Sequence, residues 1–119
     1  MSVKHEAPAI SYPLRVLFEF ESNGWFEASA AEREQQILPA LKEVLASWEA
    51  LGAKLVGTLD RDVFTAGRAG NKGWHAVWLY DVPDLQSVVT MTHQFRATGL
   101  DRYFRLEAIV GRKFFLLER

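Results

Sequence analysis

The spacing of hydrophobic residues changes along the chain, and each change predicts a new secondary-structure element. Alternation of apolar and polar residues predicts strands at residues 14–21, 53–64, 74–82 and 105–115. Apolar residues that recur every three or four positions predict helices at residues 30–51 and 85–97. The order β-α-β-β-α-β therefore predicts an α+β fold of the ferredoxin-like type with an antiparallel sheet.

Local signals at the helix ends support these bounds. Ser29 and Glu32 have the spacing of a capping box, and Asp84 is placed to cap the second helix. Gly52 follows the first helix, where a left-handed residue is expected at the C-terminal cap. Pro39 predicts a kink or a late start of that helix, because proline lacks an amide hydrogen and clashes with the preceding turn.

Length and composition predict one domain. The 119 residues are enough for an independent core, with 49% hydrophobic and 24% charged residues. We expect residues 12–119 to form this domain and residues 1–11 to be a poorly ordered lead-in without the apolar stretch of a signal peptide. With a net charge of −1, the chain lacks the excess of basic residues that favours binding to nucleic acid or to an anionic membrane. Without cysteine or a membrane-spanning run, the default location is cytoplasmic.

The predicted architecture leaves one face of the sheet without helices. We expect the more continuous apolar set of the first strand to face the helices: Leu14, Val16, Phe18 and Phe20. The outer face then carries Leu17 and one of two sets from the third strand. These sets are Trp74, Trp78 and Tyr80, or His75, Val77 and Leu79. Such a surface predicts a homodimer through the sheet face, with a different partner protein or a large ligand as the alternatives.

Several short segments resemble the dimeric α+β barrel superfamily. They are residues 14–18, 55–60, 81–84, 95–96 and 109–112. Within that superfamily the chain is similar to the darcynin-type proteins and to the small accessory protein of bacterial indole-3-acetate catabolism. The resemblance runs from about Tyr12 to Phe115 and implies a dimer of ferredoxin-like subunits. Members include cofactor-independent monooxygenases, isomerases and plain binding proteins, so the fold does not fix the function.

Two ionisable groups on the strands are candidates for acid–base catalysis. His75 lies beside Trp74, and histidine titrates near neutral pH. The alternative for His75 is a structural histidine at the dimer seam or at a strand end. Glu19 shares a strand face with Glu21, and Glu107 on the last strand could lie next to them. Carboxylates paired in a shielded cleft can act as acid and base, whereas salt bridges to arginine are the structural alternative.

Aromatic residues supply candidate walls for a ligand site. The candidates are Trp25, Phe26, Trp74, Trp78 and Tyr80. Trp25 and Phe26 follow a predicted break at Asn23-Gly24, in a loop that could cover the cleft between sheet and helices. Aromatic walls bind flat rings by stacking and edge contacts, and the alternative is that these residues form core and dimer interface. Arg112 is a candidate anchor for an anionic substrate.

We therefore expect a homodimer that binds a small aromatic or polyketide-like molecule in the cleft between sheet and helices. No metal or other cofactor is expected, because the three histidines lie in the tail, a strand and a helix without ligand spacing. For an enzyme, the sequence favours proton transfer, isomerisation or oxygenation with His75 as the acid–base group and Glu19 or Arg112 as polar anchor. The alternatives are a non-catalytic accessory or ligand-sensing module of a catabolic gene cluster, and a purely structural dimer.

Overall fold

The structure is a computed structural model that describes residues 13–64, 66–67 and 75–118, with His75 described at the backbone only. The strands are β1 (Leu14–Glu21), β2 (Lys54–Asp60), β3 (His75–Val82) and β4 (Arg105–Gly111). The helices are α1 (Asn23–Glu27), α2 (Ala30–Glu32), α3 (Leu38–Ala50) and α4 (Leu85–Ala97). A π-helical turn spans Arg33–Ile37, and a 3-10 turn spans Leu100–Arg102. The predicted lead-in at residues 1–11 lies outside the described residues, as does Trp74.

The four strands form one antiparallel sheet in the order β2-β3-β1-β4. The central strands β1 and β3 pair along their full length, with Phe18 opposite Trp78. On its other side β1 pairs with β4, which places Glu19 opposite Glu107. The α+β, ferredoxin-like fold class predicted from the sequence is therefore confirmed.

The helices cover one face of the sheet. Leu14, Val16, Phe18 and Phe20 of β1 point into the core, as their alternation predicts. Trp48 of α3 is fully buried, and its ring stacks on Phe18 at a centroid distance of 4.8 Å. Its indole Nε1 donates a 3.0 Å hydrogen bond to the Met91 carbonyl oxygen of α4, so one side chain joins the sheet to both long helices.

The long helical segment from Ala30 to Ala50 is continuous but changes its winding. Ser29 and Glu32 form the predicted capping box at its start. In the π-helical turn the Leu38 amide donates to the Arg33 carbonyl, one residue further back than in an α-helix. Pro39 follows immediately and lies in the first turn of α3, where it cannot donate an amide hydrogen bond to the preceding turn. The predicted kink at Pro39 thus takes the form of a wider turn just before it.

Two local predictions were wrong. Trp25 and Phe26 lie in the short helix α1 and not in a loop, because the Phe26 amide bonds back to the Ser22 carbonyl at 3.2 Å. The second strand ends at Asp60 and the fourth at Gly111, so both are shorter than the alternation suggested. Each is an edge strand, and their residues are mostly exposed. Edge strands lack a second neighbour that would extend the ladder, which explains their earlier ends.

Candidate functional site

A cavity of about 210 Å³ opens at one end of the sheet, on the side that carries the helices. We call it the aromatic cavity. Its lining residues are Phe20, Ser22, Trp25, Phe26, Leu41, Ala76, Trp78 and Phe104. They come from β1, β3, α1, α3 and the residue preceding β4, so five parts of the chain converge on it. None of these eight side chains carries a charge.

Ring contacts fix the walls of the aromatic cavity. Phe20 and Trp78 are cross-strand neighbours on β1 and β3, with ring centroids 4.2 Å apart. Phe104 meets Phe20 edge-on at 6.3 Å and stacks with Trp25 at 6.3 Å. Contacts of this kind add to the burial of the rings and give each ring a preferred orientation. The cavity therefore has aromatic walls that are already in position for a flat molecule.

The short helix α1 is held against the 3-10 turn by a close backbone approach at Gly24. A Cβ atom at Gly24 would lie 2.7 Å from the Tyr103 carbonyl oxygen and 2.9 Å from that of Arg102. Only a residue without a side chain allows this approach. This close approach positions Trp25 and Phe26, the two residues that follow Gly24, at the cavity.

Replacing Gly24 by alanine is therefore expected to push α1 away from the 3-10 turn. We expect the free energy of unfolding to fall by about 1–3 kcal/mol, as for other overpacked sites, in chemical denaturation. Gly111→Ala is the matched control, because a Cβ atom at Gly111 meets nothing within 4 Å. Equal stabilities of the two variants would contradict the close packing of α1.

Arg33, the first residue of the π-helical turn, binds α1 near its C-terminal end. Its Nε donates to the Trp25 carbonyl oxygen at 2.9 Å, and a terminal nitrogen donates to the Phe26 carbonyl oxygen at 3.1 Å. The guanidinium carbon also lies 5.0 Å from the centroid of the Trp25 ring, within cation–π range. Arg33 is thus a positioning residue for the two aromatic side chains of α1.

Ser22 is the only residue with a hydroxyl among those that line the aromatic cavity. It continues the alternation of β1, which turns it to the same side as Phe20, and it is 2% exposed. Its hydroxyl does not cap α1. No hydrogen bond joins the hydroxyl to another described residue, and its oxygen is not one of the fully buried atoms without a partner there, so it is open to the cavity.

The structure brings together three of the predicted site residues. Trp25, Phe26 and Trp78 line the aromatic cavity, and Phe26 is exposed at its solvent side. Tyr80 shares the sheet face of Trp78, but it is buried in the core at 5.4 Å from the Trp48 ring. Burial, with a smaller effect of the Glu49 carboxylate, raises the pKa of the Tyr80 phenol, which stays neutral at ordinary pH.

The remaining predicted site residues lie elsewhere or are not described. Glu19 is on the sheet face away from the helices, opposite Glu107 and Val77 in the strand register. Arg112 follows the far end of β4, roughly 25 Å along the strand from Phe104 at about 3.3 Å per residue. His75 begins β3 and its backbone pairs with Glu21. The structure thus does not bring Glu19 or Arg112 to the aromatic cavity.

The sequence interpretation missed several residues of the cavity. Ser22, Leu41, Ala76 and Phe104 were not among the candidates, although Ser22 and Ala76 continue the inward-facing alternation of Phe20 and Trp78. That periodicity was the signal that could have identified them. No such periodicity identifies Phe104, because it lies in the turn before β4. It lines the cavity because β4 is the neighbour of β1 in the sheet.

A second depression runs along β4 and has a different character. This edge groove, of about 560 Å³, lies between α4, the 3-10 turn and β4. Its lining residues are Thr92, Phe95, Arg96, Asp101, Phe104, Arg105, Leu106 and Ala108. Three of them are charged and exposed. Water competes for such charges, so the edge groove offers weaker discrimination between ligands than the aromatic cavity.

The described ranges contain neither a cluster of metal ligands nor a membrane-spanning helix. No three acidic or histidine side chains there lie close enough together to hold a metal ion. No helix there has both the length and the apolar composition to span a membrane.

Comparison with known proteins supports the fold. No protein-family model matches the chain, and no curated protein matches it. A crystal structure of a protein of unknown function from Rhodopseudomonas palustris is similar with a TM-score of 0.54 and 16% identity, over 82% of this chain and 80% of that one. A putative PII-like signaling protein from Thermus thermophilus reaches a TM-score of only 0.40 at 11% identity, over 85% and 91% of the two chains. The first similarity shows a shared small α+β fold.

Proposed function

We propose that this protein binds a small aromatic molecule in the aromatic cavity. The observation that carries the proposal is the cavity itself, with five aromatic side chains on its walls and no charged one. Ligand sites are typically concave and mostly apolar, with a small number of polar groups that fix orientation. Trp78 and Phe104 are only partly buried, because the cavity leaves part of each ring uncovered.

The size of the cavity limits the ligand to one or two rings. A dry apolar cavity of about 150 Å³ is large enough to hold benzene. The 210 Å³ of the aromatic cavity leaves room for a ring with one substituent, or for a fused pair of rings near its opening. A polyketide-sized molecule would extend into solvent past Phe26.

The geometry favours binding over catalysis. No cavity-lining side chain in the described part of the chain has an ionisable group, and Glu19 lies across the sheet. Acid–base catalysis needs such a group within hydrogen-bond reach of the substrate. Among the functions that the sequence left open, an accessory or ligand-sensing role therefore has stronger support than catalysis, and turnover would depend on His75.

A homodimer through the free face of the sheet is the second part of the proposal. This face, opposite the helices, carries an apolar group at its centre: Leu17, Leu59, Val77, Leu79 and Ile109. Ile109 is 59% exposed and Leu59 58%. At one end Arg15 binds Asp81 at 2.7 Å and Glu118 at 2.8 Å, and its hydrogen bond lowers the pKa of Asp81. An apolar centre with paired charges at its end suits a second copy of the same face.

The resemblance to the darcynin-type proteins and to the accessory protein of indole-3-acetate catabolism is part of this proposal. It supports an aromatic ligand and a barrel-like dimer. Both expectations agree in kind with the aromatic cavity and with the apolar free face.

The proposal predicts saturable binding of a simple aromatic probe. We expect the ¹⁹F resonance of 4-fluorophenol to shift on titration with the protein, with a dissociation constant below about 1 mM, or about −4 kcal/mol. That is about 0.5 kcal/mol for each of its eight heavy atoms, well below the ceiling for small ligands. Fluorocyclohexane is the control for a merely apolar site and should bind more weakly. Failure of every neutral aromatic probe to bind would overturn the proposal.

A further inference from the structure

The Ser22 hydroxyl has the properties of a ligand-binding group. It is almost fully buried, it lines the aromatic cavity, and within the described residues no protein group bonds to it. The Ser22 oxygen is not among the fully buried, unpaired side-chain atoms of the described residues, so water in the cavity can bond to it. A ligand atom in the cavity would replace this water as the partner of the hydroxyl.

The charges around the cavity restrict the ligand further. Among the described residues, Arg33 contacts the cavity wall at the Trp25 ring, and it already binds the carbonyl oxygens of Trp25 and Phe26 near the C-terminal end of α1. The other predicted anchor, Arg112, lies at the far end of β4. A carboxylate placed among these rings would lose its hydration and would gain no cation from the described side chains that line the cavity, which is strongly unfavourable.

We infer that the ligand is a neutral aromatic molecule of one or two rings with a single hydroxyl or N–H group, and that Ser22 binds this group. The inference rests on the proposed function, because it names the ligand class of the same cavity. Phenols and indoles belong to this class. Aromatic acids do not, so indole itself should bind more tightly than indole-3-acetate.

Three matched probes test the inference by ¹⁹F titration. 4-Fluorophenol and 4-fluorotoluene differ by a hydroxyl in place of a methyl group, and 4-fluorobenzoate carries a charge. We define the hydroxyl preference as the dissociation constant of 4-fluorotoluene divided by that of 4-fluorophenol. We expect Ser22→Ala to lower this preference about tenfold, the value of one buried hydrogen bond. We expect 4-fluorobenzoate to bind the wild-type protein at least about tenfold more weakly than 4-fluorophenol.

The matched control is Ser47→Ala, which removes a hydroxyl that bonds to the Glu43 carbonyl oxygen on α3. It should leave the hydroxyl preference unchanged. The unliganded Ser22→Ala protein should melt within about 2 °C of the wild type, because its hydroxyl stabilises no protein contact. A large fall in melting temperature, or a variant that does not fold, would assign the hydroxyl a structural role and overturn the inference.

The outcomes separate this inference from the proposal beneath it. Binding of neutral probes with an unchanged hydroxyl preference in Ser22→Ala would overturn the inference and leave the aromatic cavity as the binding site. If 4-fluorobenzoate bound as tightly as 4-fluorophenol, the preference for neutral ligands would be overturned, and the aromatic cavity would remain the binding site. If no neutral probe binds the wild type, both statements fail.

Discussion

Ala76→Leu is expected to abolish ligand binding while it stabilises the protein. Ala76 lies on the helix-facing side of β3, opposite Phe20, and lines the aromatic cavity. Three extra carbon atoms there would occupy the space of the ligand, and we expect the affinity for 4-fluorophenol to fall at least about tenfold. Filling an empty apolar space commonly adds about 0.5–2 kcal/mol to the free energy of unfolding. Titration and chemical denaturation of the same preparation measure both effects.

The control for this variant is Ala108→Leu. Ala108 is also on a strand and on the helix-facing side, but it lines the edge groove. We expect the Ala108→Leu variant to bind 4-fluorophenol with the same affinity as the wild-type protein. Binding that survives Ala76→Leu and is lost in Ala108→Leu would place the ligand in the edge groove and contradict the account.

Leu79→Arg is expected to convert a dimer into a monomer. Leu79 is at the centre of the free sheet face, where the register places it between Leu17 on β1 and Gly57 on β2. A guanidinium at this position would be buried without a partner in a sheet-on-sheet interface, which costs several kcal/mol. We expect the dissociation constant of the dimer to rise at least about a hundredfold, as measured by analytical ultracentrifugation over a range of protein concentrations.

The same substitution on the helical side provides the comparison. Leu38 is exposed on α3, so Leu38→Arg changes charge and size equally but leaves the free face intact. It should sediment as the wild type does. A wild-type protein that stays monomeric at high concentration, or a Leu79→Arg protein that still dimerises, would show that the free face is not the dimer interface.

The fold could be predicted because its determinants are local. The alternation of β1, the capping box at Ser29 and the cap at Asp84 each depend on residues a few positions apart, and all three are present. The bounds of β1 and α4 agree with the prediction. The ends of β2 and β4 do not, because pairing at a sheet edge, and not side-chain pattern, decides where an edge strand stops.

The candidate site was only partly predictable, because it depends on register and on contacts between distant segments. Strand alternation places Trp78 and Tyr80 on one face of β3 but leaves open whether that face points towards the helices. The prediction combined Glu19 with Trp78, although the two lie on opposite faces of the sheet. The sequence predicts a loop where α1 lies, because a helix of five residues is too short to show a periodic pattern. The approach of Gly24 to Tyr103 joins residues that no short-range pattern connects.

The most direct test of the central claim is to locate a bound aromatic ring by isotope-filtered NOE spectroscopy. The experiment uses unlabelled 4-fluorophenol and uniformly ¹³C,¹⁵N-labelled protein. The account predicts cross-peaks from the ring protons of the probe to protons of Leu41 and Trp78, together with the Cβ protons of Ser22. Saturable binding with cross-peaks confined to Thr92 and Ala108, in the edge groove, would contradict it.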